Sequence, residues 1–214
     1  MNKKYYILGS GGFAKEVYFL ANECLDDTFK FSGFIDFKPT LKSVIVRGNS
    51  ENLIDEDFFL KSIKPSSNIH IYHGIGDPAL LEKLSIKFND FLFPNLIHPN
   101  FIGDIKSIQF GKGNIITAGC IFTVDIVVGS HNIFNLGTTL GHDSIVGDFN
   151  VFNPGANISG GVIINSGNLF GTNSTVLQTL TIGSKNIIGA STLANKNIND
   201  NCVIVGVPGK PIVK

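Results

Sequence analysis

The sequence predicts an α/β unit joined to a triangular prism of parallel coils, and three observations predict it. A bulky apolar residue recurs at every sixth position from Phe110 to Ile188 without a break. Asparagine recurs at every eighteenth position, at Asn114, Asn132, Asn150, Asn168 and Asn186. Ahead of both, a short apolar run, a glycine-rich loop and a helical pattern follow one another between Lys4 and Leu25. With 43% apolar residues overall, an unbroken frame of this length would arise by chance with a probability on the order of 10^-5. The register is therefore a structural signal.

The elements follow in order. Lys4 to Leu8 reads as a buried strand, Gly9-Ser10-Gly11-Gly12 as a turn, and Phe13 to Leu25 as a helix with Val17, Leu20, Ala21 and Cys24 at helical spacing. Phe31 to Phe37 is a second strand carrying Asp36 near its end. Asn68 to Tyr72 adds a strand and Pro78 to Phe88 a helix. Residues 42–64 show no assignable pattern. Leu92 to Asn100, with two prolines, reads as a connection, and Ile102 to Ile108 as a first irregular coil. From Phe110 the period of six fits neither a helix nor a single strand; it fits three short strands per eighteen-residue turn. The asparagine column is expected to occupy a left-handed corner and to hydrogen-bond along the stack. The register decays at Ala194 and Asp200, so the tail VIVGVPGKPIVK is expected to cap the last coil or reach a partner chain.

Composition excludes several classes of partner. Lys plus Arg and Asp plus Glu number 17 each and the pI is near 6.9, which removes the electrostatic case for nucleic acid or an anionic membrane surface. The apolar run Tyr5 to Leu8 is too short for a signal peptide or a membrane span, so a cytoplasmic protein is expected. Cys24, Cys120 and Cys202 form no C-x-x-C pair, and neither a disulfide framework nor a zinc site is written in them.

Two motifs carry chemistry. Gly9 to Ala14 fits G-x-G-x-x-G/A after a strand, and Asp36 stands near the end of the next strand, where a ribose partner belongs. Taken alone this would mean NAD, but the α/β unit has half the length of a full dinucleotide fold, so a Rossmann-like half domain is expected; a structural glycine turn is the plain alternative. His142 falls two positions after an inward Leu140, hence on the outer surface. An imidazole titrates near neutrality and can carry a proton from nucleophile to leaving group; a merely solvated histidine is the alternative. Asp143 would orient that ring or serve the turn. Gly160, one coil further and followed by Gly161, would let backbone approach a ligand. His131 belongs to a different corner, and His70, His73 and His98 are expected to be structural. Cys120 falls at a small inward position, which argues against a thiol nucleophile.

With the α/β unit, the six-residue repeat, the segment TLGHDSIVG and the closing GVPGKP, the chain resembles the bacterial hexapeptide-repeat acyltransferases over essentially its whole length. Their members include nucleotide-linked amino-sugar N-acetyltransferases and sialic acid O-acetyltransferases. The resemblance implies that residues 1–90 are a Rossmann-like nucleotide-sugar-binding half domain. It implies that residues 91–214 are a left-handed parallel β-helix with a C-terminal tail. A homotrimer is implied, with acetyl-CoA as co-substrate in the groove between neighbouring prisms and no metal. His142 would be the general base beside Asp143, and the Gly160 amide would face the thioester carbonyl. Asn135 matches a position that contacts the acceptor sugar, while Gly9, Gly11, Gly12 and Asp36 would hold the nucleotide. Gly160 and Gly161 would bind the coenzyme through their backbone, that of Thr172 and Ala190 would line the pantetheine arm, and Lys210 would meet a CoA phosphate. The chain departs from its relatives at Gly141, where some carry an acid, and at Phe13-Ala14, where His-Gly is frequent. The activity so implied is acetyl transfer to the amino group of a nucleotide-linked amino-deoxy sugar by direct attack. O-acetylation of a sialic-acid-type sugar, a zinc hydratase on the same prism, and a non-catalytic nucleotide-sugar-binding scaffold are the alternatives.

Overall fold

The computed structural model describes residues 3–212. The chain begins with β1 (Lys3–Leu8), α1 (Gly12–Cys24), β2 (Phe29–Asp36), β3 (Ser43–Val46), β4 (Asn49–Asp55), α2 (Glu56–Ser62), β5 (Ile69–His73) and α3 (Pro78–Lys87). The sheet order is β3-β4-β2-β1-β5, parallel throughout except for the β3–β4 pair. Tyr5, Tyr6, Ile7 and Leu8 are all buried, as a central parallel strand covered on both faces requires. Helices α2 and α3 start on Asp55 and Asp77, whose carboxylates accept from the Phe58 and Leu80 amides at 3.0 and 2.9 Å. The patternless stretch thus holds a hairpin and a helix. Arg47 (φ 51°) and Gly48 (φ 80°) make a two-residue turn between paired Val46 and Asn49. Asn or Asp at the first turn position would have announced it; arginine did not.

From Leu96 the chain winds into a parallel β-solenoid with three faces. The expected connection already contains its first strand, Leu96–Ile97, and the expected irregular coil contains a regular strand, Ile102–Gly103, paired with Ile121–Phe122. Residues eighteen apart are partners, as in Ile133↔Val151 and Phe134↔Phe152. Every sixfold residue from Ile116 to Ile188 is buried; Phe110, at the open end, is half-buried. Phe134, Phe152 and Phe170 stack with centroids 4.7 and 4.6 Å apart, the strand spacing repeated in rings.

The corner expectation needs correcting by one residue. The left-handed positions are Gly113, His131, Phe149, Gly167 and Lys185, each just before a column asparagine. The asparagines themselves are buried, and each accepts from the next: Asn132 N and Nδ2 lie 2.9 and 3.1 Å from Asn114 Oδ1, and Asn168 N and Nδ2 both lie 2.9 Å from Asn150 Oδ1. An amide that bonds up the stack must face inward, so the preceding residue takes the tight turn. The tail closes the prism: Val203–Val205 extends the asparagine-bearing face and Lys210–Ile212 folds back antiparallel on it.

The two units share a core. Ile115, Ile133 and Val151 point outward from the asparagine-bearing face and are buried with Ala14, Val17, Leu20 and Leu81 of the α/β unit. At the equivalent outward positions another face carries Thr139, Asn157 and Thr175. Across this junction His73 Nε2 and His131 Nδ1 are 2.9 Å apart, with Phe93 and Phe149 stacked on the rings. His73 Nδ1 is buried without a partner. A bare lone pair is cheaper to orphan than an N–H, which places the proton on His73 Nε2, donating to His131.

Candidate active site

His142 follows the strand Thr139–Leu140 at a prism edge. Its Nδ1 lies 2.7 Å from Asp143 Oδ2, and both side chains are about two-thirds exposed, 67% and 66%. Asp143 has φ 60°, so the corner conformation itself turns the carboxylate back toward the ring. This contact makes Nδ1–H the donor and leaves Nε2 as a free lone pair. The ring lies over the next coil: a Cβ on Gly160 would sit 2.6 Å from His142 Nε2 and 2.7 Å from Cε1. A glycine at position 160 is therefore what permits this imidazole placement. At 141, where some relatives carry an acid, a Cβ would run into the Gly160 nitrogen. Gly141 keeps that amide open.

The amides along the prism edges differ in what they meet. At another edge those of Lys112, Ser130 and Asp148 are taken up by Ser130 Oγ, Asp148 Oδ1 and Ser166 Oγ at 3.2, 2.6 and 3.0 Å. The Gly161 amide donates to His142 O at 2.7 Å. The Gly160 amide finds no acceptor among the described residues, and neither does that of Ala190. An unpaired N–H beside a ring with a free nitrogen is the pair of groups that acyl transfer needs.

The remaining predicted residues lie elsewhere. Half-buried Asn135 uses Oδ1 to accept the Leu136 amide at 2.8 Å, and it shares an edge with exposed Thr172 and Ala190, one edge away from His142 and Gly160. Lys210 is exposed in the terminal strand. Gly9 (φ 98°) makes the turn out of β1, where a Cβ would meet Ile75 at 2.7 Å; Gly11 and Gly12 are exposed with open space around them. No side chain caps α1 at Gly11, and its first turn carries no acid, so its amides are free for an anion. Asp36 accepts from Ser10 Oγ and from the Phe37 amide at 2.8 Å, tying the glycine loop to β2.

These loops border a cavity of about 220 Å³ at the carboxyl ends of β1 and β2, lined by Asp36, Phe37, Glu56, Leu80, Lys83 and Lys87 among others. Glu56 is 6% exposed and pairs with Lys87, whose ammonium it holds above its usual pKa. Glu56, Lys83 and Lys87 were invisible in the sequence, since no motif connects α2 to α3. A larger cavity of about 600 Å³ lies between α1, the β3–β4 hairpin and the prism, but none of the predicted residues lines it. Chemistry rather than volume selects the His142 edge. Among the described residues no group of three or more His, Cys, Asp or Glu could hold a metal ion, and no helix is long and apolar enough to cross a membrane.

No protein-family model matches the chain, and no curated protein matches it significantly. Solved structures do. A histidine-to-asparagine variant of perosamine N-acetyltransferase from Caulobacter crescentus, in complex with CoA and GDP-perosamine, superposes with TM-score 0.89 at 27% identity, over 99% of this chain and 97% of that one. The acetyltransferase domain of PglB from Neisseria gonorrhoeae, in complex with acetyl coenzyme A, gives 0.87 at 25% identity over 99% and 100%. These structural neighbours are hexapeptide-repeat sugar acetyltransferases. WeeI from Acinetobacter baumannii shares the fold, with TM-score 0.82 at 22% identity over 97% and 99%. The hexapeptide-repeat sugar acetyltransferases are the family that the sequence resembles, and both units of the present chain lie within the superposition.

Proposed function

We propose that this chain is an acetyl-CoA-dependent N-acetyltransferase acting on the amino group of a nucleotide-linked amino-deoxy sugar. The observation that carries this reading is the meeting of His142, Asp143 and Gly160 at one edge. Neighbours solved with CoA and GDP-perosamine, or with acetyl coenzyme A, support the substrate classes. Bound acetyl-CoA would supply a thioester as the acyl donor. His142 Nε2 takes a proton from the attacking amine, and Asp143 stabilises the resulting imidazolium through Nδ1–H. The Gly160 amide supplies a hydrogen bond to the developing oxyanion, and His142 returns the proton to the leaving sulfur. Cys120 is fully buried with its thiol pushed up to about 11, and Cys24 and Cys202 belong to neither cavity nor edge described here, so attack is direct and no acyl-enzyme forms.

Residues 1–90 act as a Rossmann-like half domain that clamps the nucleotide, with the amides of Gly11 and Gly12 at the diphosphate, and residues 91–214 form a left-handed β-helix that carries the chemistry. Thr172, Ala190 and Asn135 lie on a different edge from His142, which supports a site completed between copies in a homotrimer. Val127, Ile145 and Ile163, stacked and exposed on one face, supply apolar surface for that contact. Lys210 and Gly161 complete the coenzyme groove, and the enzyme works in the cytoplasm. The decisive experiment is steady-state kinetics of His142→Ala with acetyl-CoA and a panel of nucleotide-linked amino sugars. Turnover lost from a folded protein is expected; retained turnover removes His142 from the mechanism, and a burst of CoA from enzyme and acetyl-CoA alone removes direct attack.

A further inference from the structure

The geometry points to the Glu56–Lys87 ion pair as the reader of the nucleotide base, selecting guanine. This inference rests on the nucleotide-sugar reading above. It starts from the position of the cavity at the carboxyl ends of β1 and β2, beside the crossing point where β1 is flanked by β2 on one side and β5 on the other. Open α/β sheets bind nucleotides in that crevice. Phe37 and Leu80 line it with 61% and 44% of their surface exposed, an aromatic and an aliphatic plate, with the Lys38 ammonium 5.2 Å from the Phe37 ring centre. Leu80, Lys83 and Lys87 come from one face of α3 at helical spacing. Glu56 opens α2 behind them.

A glutamate this buried is unusual, and a buried ion pair is weak as a source of stability. Its Oε1 engages Lys87, which also donates to Asp57 Oδ1 at 3.2 Å and keeps a third N–H for a ligand, and its second oxygen has no hydrogen-bond donor among the described residues. The order ammonium, engaged oxygen, free oxygen offers one donor followed by two acceptors. Guanine presents the complement along one edge: the O6 acceptor, the N1–H donor and the N2–H donor. Uracil and thymine match the first two and then set a carbonyl against the carboxylate. Adenine sets an amino group against the ammonium and a bare ring nitrogen against the carboxylate. Only guanine satisfies all three positions, and a mismatched base sets an acceptor against the Glu56 carboxylate. Asp36 is occupied by Ser10 and the Phe37 amide, so it holds the loop while Glu56 reads the base.

The test is calorimetric titration of the full chain with GDP, IDP, UDP, dTDP and ADP. GDP is expected to bind about 10- to 100-fold more tightly than the pyrimidine and adenine nucleotides, and about tenfold more tightly than IDP, which lacks the 2-amino group. Glu56→Gln should abolish the difference between GDP and IDP while acetyl-CoA still binds. Should Glu56→Gln fail to fold, Lys87→Met provides the second arm, weakening GDP more than ADP, whose amino group the ammonium does not match. Equal or tighter binding of UDP, dTDP or ADP overturns the guanine inference and leaves the nucleotide-sugar reading intact. Failure of every nucleoside diphosphate to bind overturns both.

Discussion

Acidifying the protein from pH 7.5 to pH 5.0 should remove about 4 kcal/mol of stability through the His73–His131 pair. Burial holds His73 down to about 3, with the facing His131 as a second cause. Burial likewise lowers His131 to about 4, helped by Lys112 and opposed by Asp148. Both rings are thus neutral in the folded chain at pH 5, whereas the unfolded chain protonates them near pH 6.5. A lowered folded pKa means that the unfolded state binds more protons below pH 6.5, so stability is level above that value. It falls as the pH drops from 6.5 toward 4. At pH 5.0 each ring sits about 1.5 units below its unfolded value, worth about 2 kcal/mol. For a chain of this size the loss corresponds to a fall in Tm of roughly 8–16 °C. Thermal and urea unfolding of wild type and of a His73→Gln/His131→Gln variant at both pH values measures it. The wild type should lose markedly more stability than the variant. Equal losses, or ring NMR signals of His73 and His131 that titrate between pH 7 and pH 5, would refute the reasoning.

Further outcomes follow from the same geometry. Gly160→Ala places a methyl 2.6 Å from His142 Nε2 and should displace the imidazole, lowering kcat about 100-fold with little change in unfolding midpoint; unchanged kcat breaks the link between the two residues. Phe152→Ala empties the middle of the three-ring stack and should cost about 3–5 kcal/mol in urea unfolding. Asn150→Ala removes the Nδ2 donor to Asn132 Oδ1 and the Oδ1 acceptor of Asn168 N and Nδ2, and should cost about 1–3 kcal/mol, whereas a surface asparagine such as Asn157 should cost far less. Asp55→Ala removes the cap of α2 and should cost about 1 kcal/mol, read by circular dichroism during melting.

The sequence by itself determined the prism, because a core one side chain thick forces an apolar residue at each face of each turn, and eighteen-residue spacing survives in the text as a period. It also determined β1, α1, β2, β5 and α3 to within two residues at most boundaries, since each carries a local pattern. It placed His142 on the surface and made Gly160 its vertical neighbour. The tertiary structure decided what depends on contacts without a period. Arg47-Gly48 turns a hairpin that no Asn-Gly pair advertised, and the left-handed corners sit one residue ahead of the asparagines because those amides must bond inward. His73 and His131, 58 residues apart, meet only because an outward apolar face docks on the α/β unit. Glu56 and Lys87 meet because α2 and α3 bury Phe59, Leu84 and Phe88 in one cluster against the sheet. Local steric rules are written residue by residue, but the pairing of distant polar groups is fixed only when burial leaves them no water to choose instead.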